Sequence, residues 1–165
     1  MDTRITEGYV PGCIGRIAQL HAHYYATSHQ FGVAFEALVA RELGAFCLDY
    51  RSGRDGLWLA QTGGAIEGSV ALDGAHATDA GAHLRWFIVS DALRGQGTGR
   101  QLLQRALDFA DACGYRQVYL WTFAGLHAAR HLYESCGFRL VHEAAGSRWG
   151  TRVTEQRFER QRPAP

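Results

Sequence analysis

The segment Arg94-Gly95-Gln96-Gly97-Thr98-Gly99 sets three glycines at alternate positions between two stretches of opposite character. Before it, residues 83–89 are mostly bulky or β-branched and predict a strand. After it, Leu102, Leu103, Ala106, Leu107, Ala110 and Cys113 recur at helical spacing, with Arg105, Asp108 and Asp111 on the other side. That pattern predicts a helix over residues 100–113, closed by Gly114 where a left-handed cap belongs. A strand, a glycine loop and a helix in direct succession commit the chain to an α/β fold. They also make an anion site. Glycines let successive N–H groups turn toward one point with no Cβ in the way, and the helix start adds unpaired N–H groups and the positive end of its dipole. Phosphate or pyrophosphate suits such a place.

Two phosphate-loop patterns are excluded. A Walker loop requires a lysine, and all 17 basic side chains are arginine. A Rossmann fingerprint requires Gly-x-Gly-x-x-Gly, whereas the glycines here stand at 95, 97 and 99. No acidic metal ligands follow the loop either, which disfavours a nucleotide-binding module.

Along the rest of the chain, a short strand is expected over residues 4–8. Helices are expected over 12–25, on Ile14, Ile17, Ala18 and His21, and over 34–47, on Phe35, Leu38, Val39 and Leu43. An aromatic and histidine-rich connector is expected between them, residues 24–32. A hairpin of residues 57–60 and 66–72 turns at Gly63-Gly64. Strand 118–123, helix 126–136 and strands 138–143 and 153–158 complete the order, giving a mixed sheet flanked by helices. The 165 residues, 47% hydrophobic and 20% charged, suffice for one packed domain over 1–160 with a frayed tail at 161–165. Basic and acidic groups nearly cancel, 17 against 16, which argues against a nucleic-acid partner. The first residues read as no secretory leader and no apolar run approaches 18 residues, so a cytoplasmic protein away from membranes is expected. Cys13, Cys47, Cys113 and Cys136 are far apart and are expected to be free thiols.

Arg94, Gly97 and Gly99 fill the fixed positions of a Gln/Arg-x-x-Gly-x-Gly/Ala pattern. Downstream, Ala129-Arg130-His131-Leu132-Tyr133-Glu134-Ser135-Cys136-Gly137-Phe138 matches Ala-x-x-Leu-Tyr-x-x-x-Gly-Phe. With both motifs in order, the chain resembles the GNAT superfamily of N-acetyltransferases. It is similar to bacterial acetyltransferase domains that sometimes follow a MarR-type winged-helix domain. The resemblance implies a mostly antiparallel central sheet and acetyl-CoA as co-substrate, with no metal. Backbone groups of Phe87, Ile88 and Val89 would pair with the pantetheine arm, and the amides of Arg94, Gly95, Gln96, Gly97, Thr98, Gly99 and Arg100 would hold the pyrophosphate. Leu126 stands where the family often has asparagine, with His127 beside it as a substitute.

By the same resemblance Tyr133 would protonate the departing thiolate. His83 stands at the strand position where some relatives carry a general-base glutamate, and an imidazole can accept the proton of an attacking ammonium near neutral pH. The expected reaction is acetyl transfer to a primary amine of a small molecule, amino acid or peptide, in a ternary complex. The alternative is a non-catalytic acyl-CoA sensor, which needs the loop but neither Tyr133 nor a proton acceptor. Many relatives are homodimers. On the acceptor side, Tyr24, Tyr25, His29, Phe31 and Phe35 offer an aromatic lining, and the period-two rule places Arg85 on one face with His83 and Phe87, able to anchor a carboxylate.

Overall fold

A computed structural model describes residues 2–165. Seven strands form one sheet in the order β1-β2-β3-β4-β5-β7-β6, made of β1 (Arg4–Glu7), β2 (Gly56–Thr62), β3 (Ala65–Asp73), β4 (Ala82–Val89), β5 (Gln117–Phe123), β6 (Arg139–Gly146) and β7 (Val153–Gln161). Every neighbouring pair is antiparallel except β4–β5. The α/β architecture expected from the sequence is the one observed. Gly63 and Gly64 both take positive φ, 57° and 81°, at the β2–β3 turn, as a tight hairpin requires.

The helices are α1 (Cys13–His29), α2 (Val33–Leu48), α3 (Thr98–Ala112) and α4 (His127–Ser135). They divide the core in two. Leu102, Leu103, Ala106, Leu107 and Ala110 of α3 pack on one face of the sheet with Ala82, Leu84, Val118, Leu120 and Tyr133. Ile17 and Ala18 of α1 and Phe35, Val39 and Leu43 of α2 pack on the other, with Trp86 and Phe123. The helical stripes read from the sequence are therefore the buried ones.

The first connector is shorter than expected. Residues 24–29 continue α1, because Tyr25 lies one turn beyond His21 and packs against Phe35 at 5.4 Å and Phe123 at 5.7 Å. The helix stops only at Gln30, which takes the left-handed conformation at φ 59° while its amide and that of Phe31 close onto Ala26 and Tyr25.

Candidate active site

β4 and β5 are in register only at Ala82–Val118 and His83–Tyr119, after which the strands diverge. A bulge helps to open them. Ser69 pairs with Ile88 and Ala71 with Arg85, so Val70 alone opposes both Trp86 and Phe87. Trp86 sits at φ 48°, a region that bulky side chains avoid, and the Ser69 hydroxyl donates to its carbonyl at 2.7 Å. The bulge also reverses the alternation of the strand. Ala82 and Leu84 face α3 before it, while Phe87 and Val89 pack on the α3 side after it. The expectation that Phe87 shares a face with His83 and Arg85 is thereby corrected: one inserted residue moves it to the opposite side.

The gap between the strands holds a cavity of about 440 Å³. Phe87, Ile88, Val89, Arg94, Gly95, Gly97, Thr98 and Gly99, all expected there, line it. Gly95 and Gly97 take φ 77° and 79°, and Gly97 opens α3 with no side chain capping it. The amides of Gly95, Gln96, Gly97, Thr98 and Gly99 close onto no backbone carbonyl outside the helix, so this end of the cavity is walled by free donors. A Cβ at Gly97 would meet no protein atom within 4 Å, which leaves open space at the cradle. Such a wall fits a pyrophosphate. Two expected residues turn their side chains elsewhere, Gln96 to the Ala92 carbonyl at 3.1 Å and Arg100 to the Ser135 hydroxyl at 3.3 Å, while the Gln96 amide stays among the free donors. Arg94 lines the cavity while pairing with Asp91 at 3.1 Å and lying over the Tyr24 ring. On the far wall α4 starts at Leu126 and His127, which both line the cavity.

A second cavity, of about 230 Å³, lies on the α1–α2 side. His83, Arg85, Trp121, Arg148 and Trp149 line it together with Glu42 of α2 and His21 of α1. Tyr25, Phe87, Thr122 and Tyr133 line both cavities, so the two meet there. Of the expected aromatic lining, Tyr25 and Phe35 face this cavity, Tyr24 and His29 face the loop cavity, and Phe31 lines neither.

Tyr133 stands at the junction, 5.9 Å from Phe87 and from Phe138 between ring centres. Its hydroxyl bonds no described residue, and burial, with a smaller push from Tyr25, raises its pKa well above the ordinary value. It therefore stays protonated across the physiological range. The same dry surroundings penalise a departing thiolate and make it more basic, which favours donation to it.

His83 is stacked on Tyr119 at 4.4 Å. Burial, then Arg85, Arg157 and Arg148, disfavour its imidazolium and lower its pKa to about 3. It is thus a neutral wall of the second cavity and a weak proton acceptor, far from the near-neutral base expected of it. His21 is a site residue that the sequence reading left among the packing histidines. Its Nδ1 donates to the Ile17 carbonyl at 2.8 Å, which leaves Nε2 as a bare lone pair, and burial lowers its pKa to about 4. Glu42, Arg148 and Thr122 were also missed. No local pattern marks them, since three separate elements bring them together.

Residues 18–138 match the model of the acetyltransferase (GNAT) family. Among curated proteins, the chain is 38% identical over 86 residues to N-acetylaspartate synthetase of Danio rerio, covering 52% of this chain and 30% of that protein. It is 37% identical over 92 residues to N-acetyltransferase 8 of Rattus norvegicus, covering 54% and 41%. It is 36% identical over 88 residues to mycothiol acetyltransferase of Cellulomonas flavigena, covering 52% and 24%. The matches thus span less than half the length of each of these relatives. Among solved structures, a GNAT acetyltransferase of Staphylococcus aureus Mu50 superposes with a TM-score of 0.79 at 17% identity over 98% of this chain and 100% of that one. An acetyltransferase of Salmonella typhimurium solved with acetyl-CoA gives 0.72 at 18% identity over 100% and 96%.

Proposed function

From the premise that this chain belongs to the acetyltransferase (GNAT) family, we propose that it is an acetyl-CoA-dependent N-acetyltransferase. It would move the acetyl group onto a primary amine of a small molecule, an amino acid or a peptide by direct attack with both substrates bound. The observation that carries this reading is the junction of two cavities at Tyr133, one walled by free amides and the other by side chains. Acetyl-CoA supplies the activated carbonyl. The amides of residues 95–99 and the start of α3 would hold its pyrophosphate, and the unpaired edges of β4 beyond His83 would take the pantetheine amides. Phe87 and Tyr25 exclude water where the cavities meet, and Tyr133 supplies the proton that the leaving sulfur takes. His83, held uncharged, would line the acceptor space, with the free-amine fraction of the acceptor as the attacking species.

The sensor alternative uses only the loop cavity and leaves the second cavity and the Tyr133 hydroxyl without a task. The relative named N-acetylaspartate synthetase supports an acceptor the size of an amino acid. Release of thiol from acetyl-CoA across a panel of primary amines tests the proposal. Amine-dependent release with at least one class is expected. Tight CoA binding with no release for any amine would leave the sensor reading in its place.

A further inference from the structure

The second cavity gathers arginines, each beside a carboxylate. Arg85 and Arg148 line it, and Arg157 lies behind them over the Tyr119 ring at 4.0 Å. Each has acidic neighbours: Glu42, and Asp73 at 4.0 Å, for Arg85, Glu155 at 3.3 Å for Arg148, and Glu159 at 2.9 Å for Arg157. Those pairings leave donors over. Arg148 uses only Nε on Glu155, so both of its Nη groups are without a hydrogen-bond partner among the described residues. Arg85 bonds Glu42 through Nη2, and its Nη1 lies 4.0 Å from Asp73, beyond hydrogen-bond reach.

Both guanidinium groups lie over indole rings, Arg85 over Trp86 at 4.2 Å and Arg148 over Trp121 at 3.8 Å. A cation over an indole face is attracted by the ring electrons, which restrains each side chain at the cavity wall while its remaining N–H donors stay available. The same arginines bear on His83, where burial and then Arg85, Arg157 and Arg148 disfavour a positive charge. An amine without a carboxylate would leave the spare guanidinium donors unused, whereas a carboxylate would meet charge-assisted donors.

We propose that the acceptor cavity selects a primary amine that also carries a carboxylate, held between Arg85 and Arg148 while the amine points to Tyr133. This rests on the acetyltransferase reading and narrows it to a substrate class. Arg85 lies on β4 before the bulge and Phe87 after it, at the junction of the cavities, so the carboxylate sits at the arginine end and the amine at the junction. Arg148 comes from the β6–β7 connection, which makes that loop the part of the chain that sets acceptor choice.

The test is a matched panel assayed by thiol release: glycine, β-alanine, 4-aminobutyrate and aspartate, each against its carboxamide, with a short peptide beginning in aspartate as the peptide arm. The best acid is expected to exceed its amide by at least about tenfold in kcat/KM, carried by KM, as a charge-assisted pair implies. Arg148→Gln, an exchange on a half-exposed loop, is expected to raise KM for the acid about tenfold and to draw the two members together. Arg85→Gln is expected to do the same. Amides used as well as acids, or an acid-to-amide ratio unchanged in both variants, would overturn the proposal. Calorimetric titration of glutarate and glutaramide into the CoA-saturated protein separates this from the proposed reaction. Glutarate binding that weakens about tenfold in Arg148→Gln supports the carboxylate site even if no amine is acetylated. Equal or no binding of the two probes would remove the site even if acetylation occurs.

Discussion

The two cavities share Tyr25, Phe87, Thr122 and Tyr133, yet they are built from different material. The loop end of the first cavity is walled by main chain, with glycines at positive φ and the uncapped start of α3, while Tyr24, His29 and Phe87 complete the lining. The acceptor cavity is walled by side chains from α1, α2, β4, β5 and the β6–β7 connection. Main chain can read only what every molecule of a class has in common, such as a pyrophosphate and a row of amides. Side chains can be exchanged one at a time without disturbing the fold. On the proposed reading, the constant ligand takes the first cavity and the variable one the second.

The largest effect that would sharpen this contrast lies at the junction. The Tyr133 hydroxyl bonds no described residue, so Tyr133→Phe should leave folding and CoA affinity within a few-fold. Its kcat should fall by about 10²–10⁴, the usual weight of a general acid, at every pH. Steady-state rates with CoA binding measured in parallel check this, and an unchanged kcat would end the general-acid role.

A main-chain wall should be sensitive to any Cβ. Ligand at 100 times its Kd adds about 2.7 kcal/mol, roughly 5–10 °C in Tm for a domain of this size, so CoA should stabilise the wild type by that much. Gly97→Val should lose it, because the new side chain enters the open cradle and the φ of 79° is strained for valine. Equal stabilisation of the two proteins by CoA would detach the loop from the ligand.

Acid sensitivity should belong to the side-chain cavity, which holds both histidines whose charge is suppressed. The folded pKa values of His21 and His83, about 4 and about 3, lie below the ordinary 6.5, so the unfolded chain binds more protons between those limits. Stability is then complete above pH 6.5 and falls as the pH drops toward 4, at up to about 1.4 kcal/mol per pH unit for each proton. Chemical denaturation at pH 7.5, 6 and 5 reads the slope, and His83→Gln should lower it. A stability independent of pH across that range would contradict the burial of neutral imidazoles.

The smallest effect concerns the bulge that divides the two walls. Ser69→Ala removes the hydrogen bond to the strained Trp86 carbonyl. A loss of about 1–2 kcal/mol is expected from a buried, unsatisfied acceptor, together with a higher KM for the amine. Unchanged stability would mean that the bulge holds without that bond.

The loop cavity was legible in the chain because its parts are consecutive. Three alternating glycines, the strand before them and the helix after them announce free amides at one spot, whatever the rest of the fold does. The segment around Leu132 and Tyr133 was legible for the same reason, with Gly137 ending its helix at φ 94°. Arg100 and Gln96 were expected there for their backbone amides, and their side chains turn away to Ser135 and Ala92. The acceptor cavity was legible only in its aromatic tone. Nothing local links His21, Glu42, Arg85 and Arg148, which are separated by dozens of residues and converge once the sheet is built.

Sequence alone determined the element order, the buried stripes of the helices and the glycine loop before α3, since each depends on spacing within a few turns of chain. The face that Phe87 takes, the charge state of His83 and the pairing of Arg85 with Glu42 were decided by tertiary structure. One residue inserted opposite Val70 reverses strand alternation, which no period-two count anticipates. Burial against Tyr119 with three arginines nearby takes His83 from an ordinary base to a neutral wall, because desolvation and summed charge depend on what packs around a group rather than on what precedes it.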